Sequence, residues 1–139
     1  MSDVQVSVQQ IGDTPTSQGY ARDHRVLVDR PLAKGGADRG PLGGEMMLLS
    51  LGGCYMSTLI AAARARDLDP SDLHVTVEAD IGGNPQQFQN ATMTVYGETE
   101  NEDTLQKAIE IAERSCLVTN TLKGGMAISV RRAQPEEVK

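Results

Sequence analysis

A long run without a charged residue, Met46–Ala63 (MMLLSLGGCYMSTLIAAA), constrains the fold of this chain more than any other feature. With Glu45 before it, the run predicts a helix from Glu45 to about Arg66, roughly 30 Å long at 1.5 Å per residue. A helix that is apolar on nearly every face is buried on every face. A single domain of 139 residues is too small to surround such a helix, so we expect a second subunit to cover part of it.

The same run is close to the minimum length of a membrane span. It contains Ser50, Ser57 and two glycines, and the remainder of the chain reads as alternating strands that need a covering helix. We therefore interpret it as a core helix. The N-terminus lacks the basic start and apolar stretch of a signal peptide, which indicates a cytoplasmic protein. The net charge of −6 argues against nucleic acid or an anionic membrane as a partner.

Periodicity divides the chain into elements of one domain, residues 1–139. Alternating apolar residues predict strands, and a stripe of apolar residues at helical spacing, from Leu105 to Cys116, predicts a second helix capped near Asn101. The order is β-β-α-β-β-α-β, an α+β domain with mainly antiparallel pairing. The predicted strands are residues 4–8, 20–29, 74–81, 91–97 and 126–130, with a turn over 11–18 and a short helical segment running from Cys116 to Leu122.

Two glycine-containing segments flank the start of the long helix. Arg30–Gly44 has five glycines and two prolines and is predicted to be a loop, and long loops in compact domains are often functional. Inside the helix, Gly52-Gly53 costs about 1–2 kcal/mol of helix propensity. Either another backbone or side chain approaches closely there, just before Cys54, or the pair only forms a packing groove.

The chain has two cysteines, Cys54 on the long helix and Cys116 at the end of the second helix. In a cytoplasmic protein two such thiols are more often chemical than architectural. If the fold brings them together, one can attack an oxidant and the other can close a disulfide. The alternative is that both are inert buried cysteines, a frequent state for this residue. No Cys-x-x-Cys pair or other zinc spacing is present, so we expect no metal site and no cofactor.

Cys54 lies in the middle of its helix, so the positive helix N-terminus cannot stabilise its thiolate. The glycine-containing loop offers Arg30, Lys34 and Arg39 as cations, and Glu45 is placed to hold one of them. Arginine suits this role better than lysine because its planar guanidinium can bind a carboxylate and still face a sulfur atom.

Two segments resemble the signatures of the OsmC/Ohr family of cysteine-dependent peroxidases. The segment from Gly40 to Cys54, GPLGGEMMLLSLGGC, is similar to Gly-Pro-x-Pro-x-Glu-Leu-Leu-Leu-x-x-Leu-Gly-Gly-Cys. The segment from Cys116 to Leu122, CLVTNTL, is similar to Cys-Pro-Val-Ser-x-x-Leu. The order of elements also agrees, so the resemblance covers nearly the whole chain.

The resemblance implies an intertwined homodimer, with the long helices of both subunits packed between antiparallel sheets and two active sites at the interface. It implies that Cys54 is the peroxidatic cysteine and Cys116 the resolving cysteine. Arg30 follows the second predicted strand, where the family's arginine tends to lie, with Arg39 as the second candidate, and Glu45 is the acidic residue of the motif. The resemblance also suggests an external dithiol reductant, such as a dihydrolipoyl group, and a role in oxidative stress defence.

Three positions depart from the family pattern. Gly44 stands where the family's best-characterised peroxidases carry their glutamate, Gly43 replaces a proline, and Leu117 replaces the proline after the second cysteine. The first departure favours an alternative function, a non-catalytic dimer that binds small molecules or senses redox state. Aliphatic walls favour organic hydroperoxides over hydrogen peroxide, and the expected pocket residues are Arg39, Met46, Met47, Leu49 and Tyr55.

Overall fold

The computed structural model describes residues 3–137, which form two antiparallel sheets and three helices. The predicted α+β class is confirmed. The elements are β1 (Ser7–Gln10), β2 (Ser17–Ala21), β3 (His24–Val28), a 3₁₀ turn (Leu32–Lys34), α1 (Gly43–Arg64), β4 (His74–Gly82), β5 (Gln87–Tyr96), α2 (Glu102–Ser115) and α3 (Leu117–Gly124).

The N-terminal sheet has three strands where the sequence predicted two. The predicted strand 20–29 is broken by a turn at Arg22, whose φ of 54° is left-handed, so β2 and β3 form a hairpin around it. β2 begins at Ser17, inside the segment predicted as a turn. The sheet order is β1-β2-β3, and every residue of β1 is exposed.

The predicted long helix is confirmed within two residues at each end, as α1. It packs against α2, α3 and β4. Within one chain, 28% of its most apolar 18-residue window is buried, so a single chain does not surround the helix; its covering by a second subunit stays a prediction. By length and composition alone α1 could cross a membrane, but its contacts with α2 and β4 are those of a core helix.

The core lies where α1 meets α2. Leu59, Ala108, Ala112 and Cys116 are all completely buried there. The predicted stripe on α2 is therefore confirmed as the face that packs on α1. Burial of these small residues brings the two helices close together, and it places Cys116 at the end of their contact.

The predicted strand over residues 126–130 is wrong for the described chain. No strand is present after α3 in residues 3–137, and Met126, Ile128 and Val130 are 70%, 79% and 95% exposed. An alternating segment forms a strand only when a neighbouring strand accepts its hydrogen bonds. None of the described strands pairs with this segment.

Candidate functional site

The two cysteines lie next to each other in the folded chain. Cys54 is on α1 and half-buried, and it packs against the core cluster to which Cys116 belongs. Cys116 is fully buried at the junction where α2 ends and α3 begins. The Cys54 side chain is near enough to the Cys116 sulfur to help lower the pKa of that thiol. The geometry therefore joins an accessible thiol to an inaccessible one.

Cys116 is the N-cap residue of α3. Its Sγ accepts a hydrogen bond from the Thr119 backbone N–H at 3.4 Å, as capping side chains do. Burial raises the pKa of the Cys116 thiol, but hydrogen bonds from Thr119, Cys54 and the Val118 N–H outweigh burial and lower that pKa overall. These hydrogen bonds therefore oppose the effect of burial on the Cys116 thiol.

The Thr119 side chain adds a second polar group beside this sulfur. Its hydroxyl oxygen is buried and has no partner in ideal hydrogen-bond geometry within the described chain, although the hydroxyl contributes to lowering the pKa of Cys116. A buried hydroxyl without a full partner is costly.

Tyr55, the residue after Cys54, fastens α1 to α2. Its phenol is 3% exposed, and its O–H donates to the Ile109 carbonyl at 3.0 Å. Burial raises the pKa of Tyr55 to about 12, with smaller contributions from the Glu113 carboxylate and the Cys116 sulfur. Tyr55 therefore stays neutral at physiological pH and holds the backbone around Cys54 in place.

The glycine pair before Cys54 serves two different purposes. A Cβ on Gly52 would lie 3.0 Å from Val77 Cγ2, so Gly52 lets α1 approach β4 closely. A Cβ on Gly53 would meet nothing within 4 Å. The predicted close approach thus applies to Gly52 alone, and Gly53 leaves the surface of α1 open beside Cys54.

Asp29, which sequence reasoning missed, organises the glycine-containing loop. Its carboxylate accepts hydrogen bonds from Thr16 Oγ1 at 2.7 Å, from the Arg30 N–H at 2.7 Å, from the Ala37 N–H at 3.3 Å and from the Arg39 N–H at 3.2 Å. Burial tends to raise the pKa of Asp29, but these four donors prevail and lower it. A single aspartate at the end of an apolar strand does not belong to any periodic pattern. The one sequence feature that could have indicated its role is the loop that follows it, whose backbone N–H groups need acceptors.

The two predicted arginines, Arg30 and Arg39, are held through their main-chain N–H groups, and their side chains are exposed. Asp29 holds the main chain of Arg30 and Arg39, while both arginines are exposed. Glu45 accepts the Leu42 N–H at 2.9 Å and so caps α1. Neither arginine lies within 4.0 Å of Glu45; the ion pairs in residues 3–137 are Lys123–Glu113 and Arg131–Glu137. The roles of Arg30, Arg39 and Glu45 in catalysis stay predictions.

Four of the five predicted pocket residues line two grooves, and Leu48 lines both grooves. A groove of about 550 Å³ includes Met47 and Tyr55, and one of about 970 Å³ includes Arg39, Glu45 and Leu49. Met46 is half-buried and lines neither groove, and neither cysteine does. The first groove continues to Thr119, beside Cys116.

Gly44, the position where the sequence departs from the family's peroxidases, lies under an aromatic ring. A Cβ there would stand 3.1 Å from Phe88 Cζ. A larger side chain at this position requires the ring to move. Within residues 3–137, no group of three or more His, Cys, Asp or Glu side chains is arranged to hold a metal ion.

Comparison with known proteins places residues 35–131 within the family model described as OsmC-like protein. The curated proteins yield no match. Among solved structures, a proposed osmotic stress induced and detoxification response protein from Psychrobacter arcticus superimposes with a TM-score of 0.75 at 16% identity, over 87% of this chain and 89% of that one.

Two further structures share the fold. The OsmC-like protein of Mycoplasma pneumoniae has a TM-score of 0.71 at 18% identity, with 88% of this chain and 89% of that chain covered. A proposed organic hydroperoxide resistance protein from Vibrio cholerae, with captopril bound in one of its active sites, has a TM-score of 0.66 at 16% identity and coverage of 89% and 88%. At these identities the likeness shows a common fold.

Proposed function

The chain belongs to the OsmC family, and from this premise we propose that it is a cysteine-dependent peroxidase that reduces organic hydroperoxides in oxidative stress defence. The observation that carries the proposal is the pairing of a half-buried thiol, Cys54, with a fully buried thiol, Cys116, that the fold supplies with hydrogen bonds. The hydroperoxide resistance assignment of the Vibrio cholerae neighbour supports the same substrate class.

The two cysteines take different steps of the reaction according to how accessible each thiol is. The Cys54 thiolate attacks the outer oxygen of the hydroperoxide, the O–O bond breaks, and the alkoxide leaves as an alcohol after taking a proton. The resulting Cys54 sulfenic acid is attacked by Cys116, an S–S bond forms, and water leaves. An external dithiol, such as a dihydrolipoyl group, then returns both cysteines to thiols by exchange.

A homodimer is part of this proposal. The apolar side chains left exposed on a single chain include Leu49 on α1, at 61%, and Val8 on β1, at 61%. These large apolar side chains are ones that a partner subunit would cover. A partner subunit would cover α1. It would also bring Arg30 or Arg39, which are exposed, closer to Cys54 in the same subunit or in the other one. We place the protein in the cytoplasm.

The specificity for organic hydroperoxides follows from the groove walls. The groove of about 970 Å³ passes Gly52, Gly53 and Met56, next to Cys54 on α1, and its apolar side chains include Leu48, Leu49 and Leu73. These side chains favour an alkyl or aryl group over a small hydrated oxidant.

Turnover of cumene hydroperoxide and hydrogen peroxide with excess dithiothreitol tests the proposal. Cys54→Ser should abolish turnover. Cys116→Ser should consume one equivalent of peroxide and then proceed only as fast as the external thiol resolves Cys54. Ser57→Ala, an exposed change one turn from Cys54, is the matched control and should leave the rate unchanged. Cumene hydroperoxide left intact by the unaltered protein would refute the proposal.

One observation favours a second candidate, a non-catalytic dimer that binds small molecules or senses redox state. Phe88 occupies the space beside Gly44, and Glu45 is engaged as a helix cap. The Vibrio cholerae neighbour shows that this fold can hold a drug-sized molecule, captopril, in an active site. This candidate predicts saturable binding of an apolar ligand that survives Cys116→Ser, with no consumption of peroxide.

A further inference from the structure

We propose that closing the disulfide between Cys54 and Cys116 removes the N-cap of α3, so that the first turn of α3 opens in the oxidised protein and admits the external dithiol to the disulfide. This inference deepens the proposed function and rests on it for the dithiol step. It gives the Cys116 sulfur a second task, which is to hold α3 closed for as long as the thiol is free.

The position of Cys116 shows why an opening matters. Its side chain is completely buried, and Cys54 is only half-buried. Thiol–disulfide exchange requires a thiolate of the reductant to reach a sulfur atom of the disulfide. One of the two sulfur atoms is therefore closed to the reductant for as long as the junction of α2 and α3 keeps its reduced structure.

The N-terminus of α3 depends on this same sulfur. The Cys116 Sγ accepts the Thr119 N–H at 3.4 Å, which makes Cys116 the N-cap residue of the helix. The first N–H groups of a helix need acceptors from outside it. A helix of eight residues is not stable by itself in water, so α3 relies on its cap and on its packing.

Disulfide formation acts directly on the capping atom. An S–S bond is much shorter than the contact between two thiols, so the two sulfurs must move toward each other. Cys54 lies near the middle of the 22-residue α1, and its neighbour Tyr55 is fastened to the Ile109 carbonyl at 3.0 Å. Cys116 joins two helices and has extended dihedral angles, φ −76° and ψ 116°. The movement therefore falls on Cys116 and carries Sγ away from the Thr119 N–H.

The other contacts of α3 are weak enough for the loss of a cap to matter. The helix packs mainly on α1 and α2, and Leu117 and Leu122 are 73% and 44% exposed. Lys123 pairs with Glu113 at 2.8 Å, but both side chains are more than half exposed. Exposed ion pairs contribute little to stability. The first turn, which carries the capping bond, is thus the part of α3 that oxidation releases.

Leu117 makes this chain dependent on the cap. It is the first residue of α3, a position that favours proline because the ring fixes the helical φ and the missing N–H is not needed there. The extended dihedral angles of Cys116 are of the kind that a residue adopts before a proline. Leu117→Pro therefore fits the reduced structure and would hold the first turn without help from the sulfur.

The opening serves the reductive half of the cycle. One thiolate of the dithiol bonds to one protein sulfur and releases the other. The second thiol of the reductant then closes a disulfide with the first and releases the remaining protein sulfur. The sum is one protein disulfide and one dithiol giving two protein thiols and one cyclic disulfide. With its Sγ free again, Cys116 caps α3 and the junction closes.

Hydrogen exchange in the reduced protein and in protein oxidised with diamide tests the opening without peroxide. Diamide takes two hydrogen atoms from the thiol pair and leaves the disulfide. The α3 amides should exchange about fivefold faster in the oxidised protein, the effect of losing an N-cap, while the α2 amides exchange no faster. Equal α3 rates in the two states, or two thiols that diamide leaves free, would overturn the proposal.

Two variants of the cap test its role in the reduced protein. Cys116→Ser keeps an acceptor at the N-cap position, and Cys116→Ala removes it. The α3 amides should exchange about fivefold faster in Cys116→Ala than in Cys116→Ser. The α2 amides of each variant serve as the internal reference for any general loss of stability. Equal α3 rates, taken relative to α2, would show that the sulfur does not hold the helix.

A third pair of variants tests whether the opening admits the reductant. After oxidation with diamide, Leu117→Pro should be reduced by dihydrolipoamide several-fold more slowly than the unaltered protein, as measured by thiol release. Leu117→Ala is the matched control and should be reduced at the unaltered rate, since this side chain is 73% exposed. Equal rates for the two variants would overturn the gate. Because none of these readouts uses peroxide, a protein that passes all three and leaves cumene hydroperoxide intact would refute the proposed function alone.

Discussion

The loop between β3 and α1 and the three helices are ordered by different interactions. In the loop, backbone N–H groups converge on one carboxylate, that of Asp29, and the side chains of Arg30 and Arg39 are left exposed. In the helices, small side chains such as Ala108 and Ala112 are fully buried and bring Cys54 and Cys116 together. The thiols are thus fixed by packing, and the nearby cations are fixed only through their main chain.

This difference suggests how the site divides its tasks. The thiol pair needs constant geometry, because a disulfide forms only when the two Cα atoms lie within about 7 Å. The arginines need freedom to meet a substrate or a partner subunit. A carboxylate that holds the backbone and leaves the guanidinium groups free provides both.

The largest expected effect comes from filling the loop. A Cβ on Gly36 would lie 1.9 Å from the Arg30 carbonyl oxygen, a backbone atom that cannot turn aside. Gly36→Ala should therefore unfold the loop locally and lower the midpoint of thermal unfolding. Gly43→Ala, whose Cβ meets nothing within 4 Å, is the control and should change the midpoint little. Equal midpoints would contradict the close backbone contact.

Removing the charge of Asp29 should loosen the loop and leave the thiols alone. Asp29→Asn keeps the shape of the side chain but weakens its acceptance of four donors. We expect faster amide hydrogen exchange at Ala37 and Arg39 with an unchanged thiolate midpoint for Cys116. Asp38→Asn, an exposed change in the same loop, is the control. A shifted Cys116 midpoint would show that the two regions are coupled.

The same carboxylate predicts a pH dependence of known sign. The pKa of Asp29 is lower in the folded protein than its ordinary value of 3.8, so its stabilising contribution is fully present above pH 4 or so and is lost as pH falls through the folded pKa. The protection of loop amides, taken relative to the intrinsic exchange rate at each pH, should therefore fall below about pH 4 in the unaltered protein. Asp29→Asn should show a smaller fall, and an identical fall would place the acid-sensitive group elsewhere.

A smaller effect is expected in the helices from Tyr55→Phe. Loss of the phenol hydrogen bond to the Ile109 carbonyl should lower the free energy of unfolding, measured by urea denaturation, by about 1 kcal/mol. It should also remove the tyrosine that titrates near pH 12 in absorbance at 295 nm. A stability loss accompanied by slower closure of the disulfide would show that this contact also aligns the cysteines.

The helical region could be predicted from the sequence more fully than the loop. The apolar stripe ending at Cys116 identified the face of α2 that packs on α1, because periodicity reports burial directly. It could not show that Cys116 also caps α3, since capping depends on the turn between two helices. The sequence predicted that Glu45 holds an arginine. In the structure the Glu45 carboxylate accepts a hydrogen bond from the Leu42 N–H at the start of the same helix.

The errors have a common physical origin. The segment 126–130 has the alternation of a strand, but the described chain offers no neighbouring strand to pair with it. A sequence pattern reports the burial of a residue from its spacing. The features that were missed depend instead on which groups from other parts of the chain pack against that residue. Asp29 illustrates the same point, because its role appears only when the four groups that donate to it are in place.

The central claim is that Cys54 and Cys116 act as one redox pair, and peptide mapping after oxidation tests it most directly. One equivalent of cumene hydroperoxide should remove both free thiols and yield a single disulfide that links the Cys54 and Cys116 peptides of the same chain under non-reducing conditions. Two thiols that remain free after this treatment, or a Cys54–Cys54 link between chains, would contradict it.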